Sequence, residues 1–336
     1  SPACKLFVTF EGPILIKMLE AKENGDVICQ NLKLCKDTQC KLYPAAPFAK
    51  MYRTTTEMKS DPWWKPILDT LAAPFKQLFS QHIPVNDLDK DRFSIMTTFR
   101  GSNWRGKDCD DNRRDIYPGR RFNNVTDDPR VDNNCNGIYG VDPNTGRSYE
   151  DLFCSGSGQR GIVALGDSAT AHFRIPEQLI SGPTINAKTY SHLFNLISNE
   201  MDFPHLSTYT AYENDTTGLV PGPVSSLYLK MRERNRCMHR DYQNIGVNGA
   251  SADYSGYLES IMARNQTADH PLLVTIALIG NDVCSGHKGF DRMTTPAEFY
   301  AQIVKTLDAL DQTVPPDSHV LFIGLAQGSM LYDFME

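Results

Sequence analysis

Hydrophobic and polar positions follow different rhythms along the chain. Near the start, Phe7, Ile14, Ile16, Met18 and Leu19 recur at a spacing that predicts an amphipathic helix, and the short runs Val27-Ile28-Cys29 and Leu32-Lys33-Leu34-Cys35 follow. Residues 45–85 contain prolines and the apolar set Trp63, Trp64, Ile67, Leu68 and Leu71, which predicts a partly helical connector. Between 86 and 154 apolar residues thin out among Asp, Asn, Gly and Arg, so the segment reads as an irregular loop, too long to persist without a function or a ligand. From residue 160 the rhythm changes again. Apolar strand candidates at 161–165, 272–279 and 319–325 alternate with helical candidates near 187–200, 255–264 and 296–311. That alternation predicts an α/β fold with a parallel sheet covered by helices on both faces. No apolar run approaches the ~20 residues needed to span a bilayer, so a transmembrane protein is not expected.

Composition refines this outline. The 336 residues are enough for a sizeable core, and a net charge of −6 with a pI of about 5.8 gives no global field for nucleic acid. Basic residues do cluster locally, at Arg113, Arg114, Arg120 and Arg121 and again from Lys230 to Arg240. Each cluster is either a solvated surface or an anion-binding patch for phosphate or carboxylate. Nine cysteines and sequons at Asn124, Asn214 and Asn265 point to a secretory chain, secreted or endolysosomal/vesicular, whose targeting segment lies upstream. Because nine is odd, at least one cysteine is free or pairs outside the chain.

Two acidic loops share one spacing. Asp132, Asn134 and Asn136 occupy positions 1, 3 and 5 of a loop, Gly137 stands at 6 where such a loop turns sharply, Ile138 offers a carbonyl at 7, and Asp142 is placed to close the site. Asp87, Asp89, Asp91 and Phe93 repeat the 1-3-5-7 spacing without the glycine, and Asp108, Asp110 and Asp111 lie between the two. Alternate side chains of a curled loop point inward, and carboxylates so dense repel one another unless a hard divalent cation neutralises them. Ca2+ in a structural role is the expectation, against a merely solvated acidic loop.

The chemistry begins at Gly161–Phe173. An apolar run ends in Gly166-Asp167-Ser168, a strand feeding a tight turn that presents a hydroxyl where a helix starts. A second buried strand ends in Gly280-Asn281-Asp282, and between them lies the glycine-bearing turn Asn244–Ser251. In that order the three motifs resemble SGNH (GDSL-type) esterases. The resemblance implies a flavodoxin-like SGNH fold over 155–336 with Ser168 as nucleophile. It also implies that Gly249 and Asn281 join the serine amide in an oxyanion hole, with Asp167 and Asp282 as turn-formers. Residues 1–44, with Cys4, Cys29, Cys35 and Cys40, resemble the second half of a saposin-type lipid-binding module, so a disulfide-linked partner chain carrying the other half is expected. The segments RGSNWRGKDCDDN, YPGRRFNN, DNNCNGIYGVDP, NRCMHRDYQNIGVNGAS and IGNDVCSG resemble the branch of that family that joins a saposin module to an SGNH domain. That branch implies removal of secondary, ester-linked fatty acyl chains from the lipid A of lipopolysaccharide, with calcium in the Asp-rich region 86–154.

SGNH enzymes carry their base in a late Asp-x-x-His block, and the chain is read as containing no such block. Asp317 and His319 abut the start of a strand, the wrong end of a parallel sheet for catalysis. His172, one helical turn after Ser168, reads as structural or as packed beside the site; His239 contacts substrate or bonds locally. The base is therefore expected downstream of 336, and residues 1–336 alone are expected to be weakly active or inactive. Two other readings stay open: a saposin-type lipid-binding protein with an inactive SGNH portion, and a carbohydrate O-acetyl esterase.

Overall fold

A computed structural model describes residues 80–176, 192–215, 218–220, 223–254, 261–278, 280–283 and 293–324. The saposin-like segment 1–44, most of the connector 45–85 and most of the helix expected at 255–264 lie outside the described residues. Residues 76–174 and 195–336 belong to one compact unit, so the Asp-rich region and the α/β part are built together.

The regular elements are α1 (Tyr149–Cys154), β1 (Gly161–Gly166), α2 (Ser168–Ala171), α3 (Leu193–Ser198), α4 (Leu227–Arg234), β2 (Tyr242–Asn244), β3 (Leu272–Ala277), α5 (Pro296–Thr313) and β4 (His319–Ile323). The sheet runs β2-β1-β3-β4 with every pair parallel. In register, Ile162 faces Tyr242 and Leu273, and Gly166 faces Ala277. All six residues of β1 are buried, as a central strand covered on both faces requires. On one face Val163, Leu165, Val274 and Ile276 pack with Ile245 and with Leu310 of α5. On the other, Ile162 packs with Tyr242, Met238 and Tyr228 of α4. Thr295 and Glu298 form a capping box at the start of α5, with Pro296 as its first residue. Among the described residues β4 pairs only with β3, and its Val320, Leu321 and Phe322 are exposed.

Strand β2 is absent from the apolar pattern because its sequence, Tyr-Gln-Asn, is polar although wholly buried. Its side chains stand in for apolar contacts by bonding backbone. Gln243 exchanges two hydrogen bonds with Ala263, and the Asn244 amide donates to Thr170 O and Thr210 Oγ1. Trp104 O accepts from Asn244 N–H and Gly106 N–H donates to Tyr242 O, so the Asp-rich region covers this strand's outer edge. That region is irregular as expected, except for α1. It is held by buried Arg105, whose guanidinium donates to the carbonyls of Arg92, His82 and Ile261. Disulfides Cys109–Cys135 and Cys154–Cys237 fasten it further.

Candidate active site

Three turns follow β1, β2 and β3 at the carboxyl edge of the sheet, where ligands of open α/β sheets bind. In the first, Asp167 caps α2, accepting from Ala169 N–H at 2.9 Å. Ser168 is the first residue of α2 and is partly exposed. A Cβ on Gly166 would run into Thr170 Oγ1 and Ala277 O, so only glycine lets the chain turn this close to β3. The helix lasts one turn, closed by His172 in the left-handed conformation (φ 58°), so oxyanion donors have to be individual amides rather than a long helix dipole.

Hydrogen bonds join the three turns in a ring. Val247 N–H donates to Gly166 O at 3.0 Å, linking the second turn to the first. Gly280 N–H donates to Asp167 Oδ2 at 3.3 Å, linking the third to the first. The Asn281 amide donates to Ala250 O at 2.8 Å, and Ala252 N–H donates to buried Asp282 Oδ1 at 3.0 Å, linking the third to the second. Ser168, Gly249 and Asn281 thus sit on turns braced against one another, and Asp167 and Asp282 do more than form turns. Gly249 is exposed with φ +80° and open space where a Cβ would be. Gly246 of the same turn instead lies 2.8 Å, measured to its ideal Cβ, from Ala171 N.

A second tier of side chains holds the Gly249 turn. Arg100 stacks over Trp104 at 3.6 Å, pairs with Glu200, and donates to Gly246 O at 3.0 Å. Asn248 Nδ2 donates to Asp202 Oδ2 at 3.1 Å. Asp202 also opens an Asp-x-x-His spacing with His205, against the expectation that the chain contains none. The structure gives it no triad geometry: its carboxylate faces Asn248, and His205 Nδ1 has no hydrogen-bond partner. Burial lowers His205 to about 4 and raises Asp202 to about 8, the latter against a smaller opposite pull from Arg100. Folded Asp202 keeps a proton that the unfolded chain releases near its ordinary value of 3.8. Its contribution to stability is therefore complete below that value and is lost as pH rises through about 8. Asp202→Asn is expected to shrink the difference between melting temperatures measured at about pH 5 and about pH 8; an unchanged difference would refute it. His172 is half-buried, lowered by burial and then by Arg174, and serves as a helix cap whose carbonyl accepts from Phe203 N–H. His239 lines a cavity of about 570 Å³ with Arg232 and Arg236. His319 begins β4 opposite Leu273, at the far end of the sheet from Ser168.

A GDSL-like lipase/acylhydrolase family model matches residues 162–327, and a saposin-like type B, region 2 model matches residues 2–35. Acyloxyacyl hydrolases of Oryctolagus cuniculus, Homo sapiens and Mus musculus are 40%, 39% and 38% identical, each over 98% of this chain. The chain is a relative of the acyloxyacyl hydrolases. It spans about 60% of the length of these curated relatives.

The acidic loops of this acyloxyacyl hydrolase relative fold differently from each other. In the first, each carboxylate gives one oxygen to backbone: Asp89 accepts from Asp91 N–H, Asp91 from Phe93 N–H, Asp108 from Asp110 N–H and Asp111 from Leu88 N–H. The second oxygens of all four are buried without a hydrogen-bond partner among the described residues. Ligand atoms of Asp87, Asp89 and Asp111, and of Asp89, Asp91 and Asp108, lie within 4.8 Å of one another. Burial, then neighbouring carboxylates, raises Asp91 to about 8; burial also raises Asp108 to about 6 and Asp89 above its ordinary value. Orphaned hard oxygens converging in this way fit a divalent cation. Asp110 is not in the group; its carbonyl caps the next turn through Asn112 and Arg113 N–H. Phe93 anchors the loop by stacking on Tyr117.

The second loop spends its oxygens on itself. Asp132 accepts from Asn136 and Gly137 N–H, Asn134 Oδ1 from Asn136 N–H, and Asn136 Oδ1 from Ile138 N–H. Asp142 does not close it: the residue is exposed and both its oxygens are held within its own turn, by Asn144 and Thr145. Glu150 of α1 takes that place, accepting from the amides of Asn134 and Asn136. It lies 16 residues beyond Asn134, on a helix the loop-like sequence did not announce.

Proposed function

We propose that this chain carries the nucleophile and oxyanion hole of a serine ester hydrolase that removes secondary fatty acyl chains from the lipid A of lipopolysaccharide. The observation that carries the reading is the ring of hydrogen bonds bringing the Ser168, Gly249 and Asn281 turns to one sheet edge. Ser168 Oγ attacks the ester carbonyl, the carbonyl oxygen takes the negative charge, and the amides of Ser168 and Gly249 with the Asn281 carboxamide stabilise it. The C–O bond then breaks, the alcohol leaves with a proton, and water hydrolyses the acyl-serine. No described histidine is placed as the base, which we assign to the part of the relatives' length that this chain does not span.

The name of the relatives and the saposin-like match at 2–35 support a lipid substrate, because an apolar helical module shelters acyl chains from water. We further propose Ca2+ at Asp87, Asp89, Asp91, Asp108 and Asp111, where it orders a region with little core of its own and takes no part in the reaction. The second loop, through Asp132, Asn134, Asn136 and Glu150, is a weaker candidate. Two disulfides and exposed asparagines at all three sequons support a secreted or endolysosomal protein, and a saposin half-module supports a disulfide-linked partner chain. No helix among the described residues is long and apolar enough to cross a membrane.

A fluorophosphonate probe tests the reading. Full-length protein is expected to be labelled at Ser168, and the Ser168→Ala variant not at all. Absence of labelling in folded full-length protein that still binds lipid would favour the lipid-binding alternative, and release of acetate without fatty acid would favour an O-acetyl esterase.

A further inference from the structure

At the amino edge of the sheet, opposite Ser168, lies a cavity of about 580 Å³ whose lining includes Lys90, Arg92, Arg114, Tyr117, Arg120 and Arg264. It is within the volume range of small-ligand sites. Its place follows from Asp241 and Asp269, which precede β2 and β3: Arg264 bonds both oxygens of Asp241, and Asp269 accepts from Tyr117 Oη. The six residues of β1 separate this end from the nucleophile turn by roughly 16 Å, so one ester group cannot occupy both places.

The protein balances only part of this charge: Arg264 pairs with Asp241 and has Asp269 beside it, which leaves Lys90 and Arg114. Asp91, Asp115 and Asp269 also line the cavity, but each is engaged: Asp115 with Arg113, Asp269 with Tyr117 and Asn265, and Asp91 with the carboxylate cluster. Arg120 is paired with Asp127. Lys90 and Arg114 are exposed and carry no ion pair among the described residues. The side chain of Arg264 is wholly buried and pairs with Asp241 through Nη2, while its Nε and Nη1 have no hydrogen-bond partner among the described residues. Arg92 lies near Arg114 and donates to Met262 O at 2.7 Å. Like charges drawn together around a cavity, with Lys90 and Arg114 exposed and without an ion pair among the described residues, call for an anion. Several donors from separate segments suit the multiple oxygens and near-double charge of a phosphate monoester better than a single carboxylate.

We infer that this cavity binds a phosphoryl group, free or on the headgroup of a glycolipid or phospholipid, as a site separate from the ester-cleaving one. The inference does not rest on the esterase reading, because binding is measured without turnover. Inorganic phosphate is titrated calorimetrically into the full-length protein, and flotation compares phosphatidylcholine vesicles with and without phosphatidic acid. The variant is Lys90→Glu with Arg114→Glu, both surface positions; Arg114→Lys keeps the charge, and Arg130→Glu, paired elsewhere with Asp128, is the control. Phosphate binding is expected to weaken about tenfold or more in the double variant, less in Arg114→Lys, and not in Arg130→Glu. Loss of phosphatidic acid vesicle binding in the same variant, at equal melting temperature, would identify a headgroup as the carrier. Equal binding by unaltered protein and double variant, or no binding of either probe, would overturn the inference.

Discussion

Ser168→Ala in the full-length protein is expected to lower fatty acid release on the order of a millionfold, the scale for removing a serine hydrolase nucleophile. The melting temperature should not move, because the hydroxyl is partly exposed and neither caps α2 nor braces the ring of turns. Asn281→Ala should cost about 10²–10³-fold in kcat with KM little changed, the scale of one oxyanion donor. It also removes the bond to Ala250 O, so some loss of stability should accompany the kinetic effect. Asn248→Ala touches no reacting atom. It frees the Gly249 turn from Asp202, and a smaller fall in kcat is expected from it. Fatty acid release measured against melting temperature separates these cases. A Ser168→Ala variant that kept its rate would leave the three braced turns without a catalytic meaning.

Much of this site could be read in the sequence because its parts are local. Strands β1 and β3 announce themselves as apolar runs, and each turn carries its own Gly and Asx residues. The bracing could not be read, since it joins residues far apart in the chain: Gly280 to Asp167, 113 positions away, and Asn248 to Asp202, 46 away. Strand β2 escaped because burial there is satisfied by hydrogen bonds rather than by apolar side chains. Helix α4 escaped because it is short and its second half is mostly charged; it fully buries only Tyr228, with Leu227, Leu229 and Met231 packed partly buried beside it. Of the helix expected over 187–200, the described part is Leu193–Ser198. The phosphate-type cavity was half legible. Arg113, Arg114, Arg120 and Arg121 stood out as a cluster, but Arg113 and Arg120 are consumed by Asp115 and Asp127, while Lys90, Arg92 and Arg264 arrive from elsewhere in the chain.

Chelation is expected to be the largest perturbation of stability short of unfolding. Four buried carboxylate oxygens, on Asp89, Asp91, Asp108 and Asp111, have no hydrogen-bond partner among the described residues, and other carboxylates lie close to them. Without a cation that arrangement costs desolvation and repulsion together, which Arg105 near Asp87 and Asp91 and Arg92 near Asp87 offset only in part. A cation present at about a hundred times its dissociation constant would add about 2.7 kcal/mol to the folded state. For a domain of this size that corresponds to a melting temperature about 5–10 °C higher with Ca2+ than with EGTA. The disulfide Cys109–Cys135 joins this cluster to the second loop, so chelation should loosen both, which hydrogen exchange at Asn134 and Asn136 would register. Asp89→Asn combined with Asp111→Asn should remove most of the Ca2+-dependent shift, whereas Asp142→Ala should leave it intact because that carboxylate serves only its own turn. Glu150→Gln separates the loops: if the shift survives it, the cation sits at the first cluster alone. A melting temperature indifferent to EGTA would mean that these carboxylates are held by protons, and the case for a cation would fail.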